Sequence, residues 1–213
     1  MKYPNGLFFA AAMACFVFSC KQHTENILPS ELRRNGDSIP AVNPYVSTDQ
    51  SPMDMAWCPA GYPVEKMKGN DSLHLIARVI YSRPHKKGRQ IFGEGPKSLC
   101  PYGKPWRLGA NEATELDLLE NVSIAGKNIS KGMYIMYCIP QADHWTIVLN
   151  GDLYTWGLHI NTSKDIFRTD LPVMQQSPAL EDFTIAFTET PTGGELTMAW
   201  DQVKTVLPLT YVK

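Results

Sequence analysis

Apolar and polar residues alternate with period two through most of the chain from residue 73 onward. Leu73, Leu75, Ala77, Val79 and Tyr81 fall on one side of an extended segment, with His74, Ile76, Arg78 and Ile80 on the other. Side chains of a strand point alternately to its two faces, so this pattern buries one face and leaves the other for solvent. It predicts further strands over residues 113–119, 131–139, 145–150, 182–188, 195–200 and 203–212. Turn-forming residues separate them: Ala125-Gly126-Lys127, Gln141-Ala142-Asp143, Asn150-Gly151-Asp152 and Pro191-Thr192-Gly193-Gly194. Asn150-Gly151 is the sharpest hairpin signal, since a tight two-residue turn favours Asn-Gly. Helical periodicity is confined to a short turn near residues 163–167. Many short strands without helical crossovers predict an all-β fold, an antiparallel β-sandwich or jelly-roll-like single domain.

The first fifty residues do not share the pattern. Met1 and Lys2 precede an uncharged run over residues 7–18, LFFAAAMACFVF, which has the length and flanks of a signal-peptide core. A membrane-spanning helix needs about 17 to 25 apolar residues, so the run is too short to span. Val17-Phe18-Ser19-Cys20 then gives way to polar Lys21-Gln22-His23. An aliphatic residue three before a cysteine and a small residue just before it resemble the lipobox, the site at which bacterial lipoproteins are acylated and cut. A second box, Ala12-Met13-Ala14-Cys15, leaves a shorter core and puts Phe16, Val17 and Phe18 into the mature chain, so Cys20 is the preferred lipidation site. The alternative is a plain secretory signal with an incidental cysteine. Residues 1–19 are thus expected to be removed, with Cys20 lipidated and residues 20–50 forming a flexible tether. That stretch holds few large apolar residues, with Pro29, Pro40 and Pro44 spaced along it. The folded domain is expected over residues 51–213.

A formal charge of -1 offers no basic excess for nucleic acid or an anionic membrane. The expected membrane association is therefore through lipid, in the cell envelope. Lys21-Gln22 lacks an acidic run of the kind that marks surface export, so the default is the outer membrane facing the periplasm. Past Cys20 the chain holds Cys58, Cys100 and Cys138. An exported protein permits one disulfide among them, and Cys58 with Cys100 is the pair to test, Cys138 lying within a strand pattern where a free buried thiol is expected. Nothing in the spacing of Cys or His suggests a metal or other cofactor.

The densest polar and aromatic cluster lies between Arg83 and Thr114. There Arg89, Tyr102, Trp106, Arg107, Asn111 and Glu112 supply guanidinium donors, an amide, a carboxylate and aromatic faces among glycines and prolines. Such a mixture suits a polar ligand with an apolar face, of which a sugar is the usual case. The same residues also fit a structural role, with Arg107 and Glu112 as a buried ion pair and Asn111 holding a turn. Trp145 and Trp200 alternate with core-like residues and read as packing, Trp106 and Trp156 read as an exposed platform, and Trp57 fits either. His144 and His159 form a site only if their strands converge. Glu112 with Glu115 or Asp117 is a candidate carboxylate pair for glycoside hydrolysis, although a charged outer strand face explains that spacing as well. No serine-hydrolase elbow is present, and the residues lean away from an enzyme.

Several runs carry a family resemblance. Ser51-Pro52-Met53-Asp54-Met55, Tyr81-Ser82-Arg83-Pro84, Lys87-Gly88-Arg89-Gln90-Ile91-Phe92-Gly93, Pro101-Tyr102-Gly103, Trp106-Arg107 and Gly109-Ala110-Asn111-Glu112-Ala113-Thr114 follow in order the pattern of the family called domain of unknown function 2911. Gly132-Met133-Tyr134, Ile139-Pro140, Trp145-Thr146-Ile147 with Asn150, and Trp156-Gly157 continue it, so the chain resembles that family over nearly all of residues 51–213. The family looks like exported proteins of the Bacteroidetes group, often lipoproteins, without an established activity. The resemblance implies location and domain extent and supplies no mechanism. Its pattern does not demand cysteine at positions 58, 100 or 138, which argues against a catalytic thiol. The leading expectation is an envelope-anchored binding or interaction module for a glycan or an envelope protein. The alternatives are a hydrolase on polysaccharide or peptidoglycan, with Glu112 as acid or base, and a purely structural envelope protein.

Overall fold

The computed structural model describes Ser47 and residues 49–212. The expected signal segment, Cys20 and nearly all of the expected tether lie outside the described residues. The chain divides into two units, Met1–Ser47 and Thr48–Lys213, and every described strand and helix belongs to the second.

The elements in order are β1 (Met53–Cys58), α1 (Tyr62–Met67), β2 (Ala77–Ser82), β3 (Phe92–Gly93), β4 (Cys100–Pro101), β5 (Thr114–Leu118), β6 (Val122–Ile124) and β7 (Lys127–Ile129). They continue with β8 (Gly132–Pro140), β9 (His144–Asn150), a 3-10 turn (Thr162–Lys164), β10 (Asp165–Pro172), β11 (Met174–Thr190) and β12 (Gly193–Tyr211). A six-stranded sheet has the order β1-β2-β5-β8-β9-β10, and a four-stranded sheet the order β11-β12-β6-β7. Every pairing in both is antiparallel, and neither closes into a barrel. The short β3 and β4 pair in parallel. The all-β sandwich expected from the alternation is therefore the fold.

Alternation explains the core. Ala77, Val79 and Tyr81, then Tyr134, Met136 and Cys138, then Trp145, Ile147 and Leu149 point inward from the larger sheet. Phe183, Ile185 and Phe187, with Leu196, Met198 and Trp200, meet them from the smaller one. The Tyr81 hydroxyl ties the layers, accepting from the Ile185 amide at 3.0 Å, and burial pushes its pKa up to about 12. Backbone satisfaction closes the edges of the pattern: Arg83 N donates to Pro52 O and Lys86 N to Glu181 O.

Several expectations are corrected. Asn150-Gly151 does not form a tight hairpin turn. Asn150 is buried, its amide donating to Asn161 O at 2.9 Å and Asp165 Oδ1 at 2.8 Å, and residues 151–161 form a long loop before β10 pairs back onto β9. Tight two-residue turns lie instead at Ala125-Gly126, where φ is 49° and 76° between β6 and β7, and at Pro191-Thr192 between β11 and β12. The two strands expected over 195–200 and 203–212 are one strand, β12, which ends at Tyr211 and is irregular at Asp201, where φ is 54°. Cys58 and Cys100 are not paired: all three described cysteines past Cys20 are free and buried. Cys58 sits beside Gly194 and Tyr211, whereas Cys100 lies on β4. No described helix is long and apolar enough to cross a membrane.

Candidate functional site

Residues 83–113 connect β2 to β5 and contain most of the polar and aromatic cluster. The stretch is stitched to neighbouring backbone at several points: Cys100 N bonds Ile91 O at 2.7 Å, Gly103 N bonds Pro140 O at 2.9 Å, and Trp106 forms a two-way bridge with Cys138 on β8. That bridge decides the fate of Trp106. Its side chain turns inward, 9% exposed, and contacts Phe92, Trp145, Phe183 and Trp200. Its indole N–H donates to Gly109 O at 3.2 Å. The expectation that Trp106 forms an exposed platform is therefore corrected; it belongs chiefly to the core, as Trp145 and Trp200 do.

The next residue faces the other way. Arg107 is half-buried, its Nη1 donates to Trp156 O at 3.0 Å, and its guanidinium carbon lies 5.9 Å from the Trp156 ring centroid. Trp156 is 53% exposed on the 151–161 loop, so the expected platform is present there. Tyr154 and Leu158 on the same loop are also exposed. The loop is pinned where Ala113 N donates to Thr155 O at 3.2 Å. Gly157 makes that approach possible: its φ is 76°, and a Cβ there would lie 2.9 Å from the Arg107 Cβ and 3.0 Å from that of Ala113.

A cleft of about 380 Å³ opens beside this contact. Arg89, Trp106 and Arg107 contribute to its wall, with Pro84, Pro101 and Leu158 among the apolar neighbours. Its volume is within the range of small-ligand sites, about 300 to 1,000 Å³. Burial lowers the Arg107 pKa, an effect that the Glu112 charge partly offsets. Burial also raises the thiol of Cys100, another lining residue, which leaves it a poor nucleophile. Asp, Glu and His are missing from the described lining.

The remaining sequence candidates stand apart from the cleft. Tyr102 is half-buried in the turn after β4, its backbone N bonded to Gly93 O. Asn111 holds a left-handed turn, φ 55°, and donates to Asp49 Oδ2 at 2.5 Å, in keeping with the structural role considered for it. Glu112 is exposed and makes no ion pair with Arg107, so the buried pair does not form. Asp117 is engaged by Arg78 on β2, which leaves it unsuited to the carboxylate pair considered with Glu112. His144 begins β9, whereas His159 shares a small void with Asn150 at the other end of that strand, so the two do not converge. No group of three or more potential metal-ligating side chains occurs among the described residues.

The sequence cluster missed Pro84, Leu99, Pro101, Pro105, Gly157 and Leu158 as lining residues. Apolar residues at 154, 156 and 158, between glycines and outside any strand, were the available signal for the loop. A larger open groove of about 750 Å³ runs along β10, but its charges are already engaged, Arg168 with Asp165 and Lys127 with Ile166 O.

Residues 63–209 match a family model described as protein of unknown function, DUF2911. The chain belongs to this family. The match runs from within α1 to near the end of β12 and covers every lining residue of the cleft except Ser51. It begins after β1, although β1 pairs with β2 along its whole length. Neither a curated protein nor a solved structure matches the chain. Membership in DUF2911 thus fixes kinship and leaves the activity to be argued from the site.

Proposed function

We propose that this DUF2911 protein is a lipoprotein of the cell envelope, exported by residues 1–19 and acylated at Cys20, whose sandwich binds a glycan at the cleft beside Trp156. The lipid holds it at the outer membrane facing the periplasm. Contact between Arg107 and Trp156 carries the binding proposal. A guanidinium that bonds the Trp156 carbonyl and lies near its ring holds an exposed indole ready before any ligand arrives. Aromatic faces stack on the C–H groups of sugar rings, and the arginines beside it supply directional donors for hydroxyls. Binding is favoured over hydrolysis because the described lining holds neither a carboxylate nor an imidazole for proton transfer.

A glycan array followed by titration of the full-length protein in mild detergent tests this. Trp156→Ala is expected to weaken the best glycan about three- to tenfold without lowering the melting temperature, because the side chain is half-exposed. Equal affinity in that variant, or no glycan binding by the parent, rejects the proposal. Trp106→Ala is an unsuitable probe, since removing a buried indole costs about 3–5 kcal/mol of stability.

A further inference from the structure

The described arginines divide into two groups. Arg78 is engaged by Asp117, Arg83 by Asp54 at 3.1 Å and Arg168 by Asp165 at 2.6 Å. Arg89 and Arg107 alone have no carboxylate within 4.0 Å among the described residues, and both line the 380 Å³ cleft. Their protein hydrogen bonds go only to carbonyls: Arg89 to Lys86 O at 3.0 Å and to His85 O, Arg107 to Trp156 O. Arg107 keeps Nε and Nη2 without a described partner, and Arg89 keeps Nη1.

From this we infer that the ligand is anionic: a stretch of acidic polysaccharide whose carboxylate or sulfate groups sit against Arg89 and Arg107. The inference rests on the glycan proposal and adds its charge. A half-buried guanidinium with no carboxylate within ion-pair distance has lost hydration that the more distant Glu112 charge offsets only in part, and a bound anion supplies a direct counter-charge. Charge-assisted bonds from a guanidinium fork are stronger than those between neutral groups, and planar carboxylates and sulfates fit that fork. Because the chain carries a formal charge of only -1, the cationic character of the cleft is local and is not a by-product of a basic protein. Apart from Ser51, the other lining side chains are chiefly apolar, among them Pro84, Leu99, Pro101, Pro105 and Leu158, which suits sugar-ring faces between charged groups and suits a bare polyanion poorly. Carboxylated and sulfated sugars share this chemistry, and the test separates them.

Calorimetric titration of the full-length protein in mild detergent would use four probes: oligogalacturonate, a chondroitin sulfate oligosaccharide, a neutral dextran oligosaccharide and single-stranded DNA. At least one acidic sugar is expected to bind, with the stronger of the two identifying the preferred anion, and the dextran and DNA at least tenfold more weakly. Raising ionic strength from about 0.01 M to about 1 M shortens the screening length from about 30 Å to about 3 Å and should weaken binding at least tenfold. Arg89→Gln should weaken it about tenfold, with part of the loss restored in Arg89→Lys, while the melting temperature stays unchanged because this exposed side chain bonds only its own turn. Arg107→Gln is the companion variant, expected to lose more because it also releases Trp156. Dextran bound as tightly as the acidic sugars, with no salt dependence, rejects the anionic ligand and leaves the glycan proposal standing. DNA bound as tightly as the acidic sugars rejects sugar recognition. Silence from all four probes overturns the inference, as does full acidic-sugar affinity in both arginine variants.

Discussion

Burial holds the Glu115 carboxyl on β5 above its usual range; nearby Asp117 and Glu112 push the same way, and Arg78 opposes them. A carboxyl whose pKa is higher in the folded state than in the unfolded one destabilises the fold once ionised. Its penalty is complete above the folded pKa and vanishes below the unfolded value near 4. Glu115→Gln is therefore expected to raise the melting temperature at pH 7, with the gain closing as pH falls through the carboxylate range. Thermal melts of parent and variant from pH 3 to about pH 8 check this, and a lower melting temperature for the variant at pH 7 contradicts it. The same scale shows why the site was only partly legible in the sequence. Composition drew Arg89, Trp106 and Arg107 into one candidate neighbourhood, and all three contribute to the wall of the cleft. Composition does not carry direction: adjacent Trp106 and Arg107 look alike in a Gly/Pro-rich stretch, yet the backbone bridge to Cys138 sends one indole into the core and leaves the next side chain against Trp156.

Among the described glycines, Gly193 makes the tightest approach, where the start of β12 meets the far end of the same strand. A Cβ on Gly193 would lie 1.8 Å from Leu209 O, a backbone atom that cannot rotate away. Gly193→Ala is expected to destabilise the domain by about 3 kcal/mol or more, near the upper end of overpacking costs, as measured by urea unfolding. Gly151→Ala makes a useful comparison, because there the nearest atom is the tip of the Ile166 side chain at 3.2 Å. Near-equal costs for the two would contradict the clash. Elements whose inward face is large and apolar, such as β8 and β9, were readable from alternation. β1 was not, because its buried residues are the small Ala56 and Cys58 while Met53 and Met55 face solvent. β10 buries Phe167 and Leu171 with Thr169 between them, which breaks the apolar periodicity. α1 has no buried residue at all and so leaves no helical stripe to find. The Asn150-Gly151 signal misled because local turn preference was outweighed by tertiary bonds from the Asn150 amide to Asn161 and Asp165.

For the whole molecule, the proposed lipid anchor makes folding and address separable in an experiment. Every described member of the buried core cluster lies between Ala56 and Leu209, so the described residues alone supply a continuous core for the sandwich. The proposed acyl chains act on a different equilibrium, since each CH₂ they bury in a bilayer contributes about 0.8 kcal/mol to attachment. Cys20→Ser is therefore expected to move the protein from the membrane fraction to the soluble one. The sandwich should keep its melting temperature and its affinity for the acidic glycan. Fractionation, with melts and titrations of the released protein, reads both halves of this expectation. Retention of the serine variant by membranes would mean that attachment has another source, and a lowered melting temperature would mean that the N-terminal segment supports the sandwich after all. Release with unchanged binding would assign the lipid the task of placing the cleft within reach of its polymer, and the cleft alone the task of holding it.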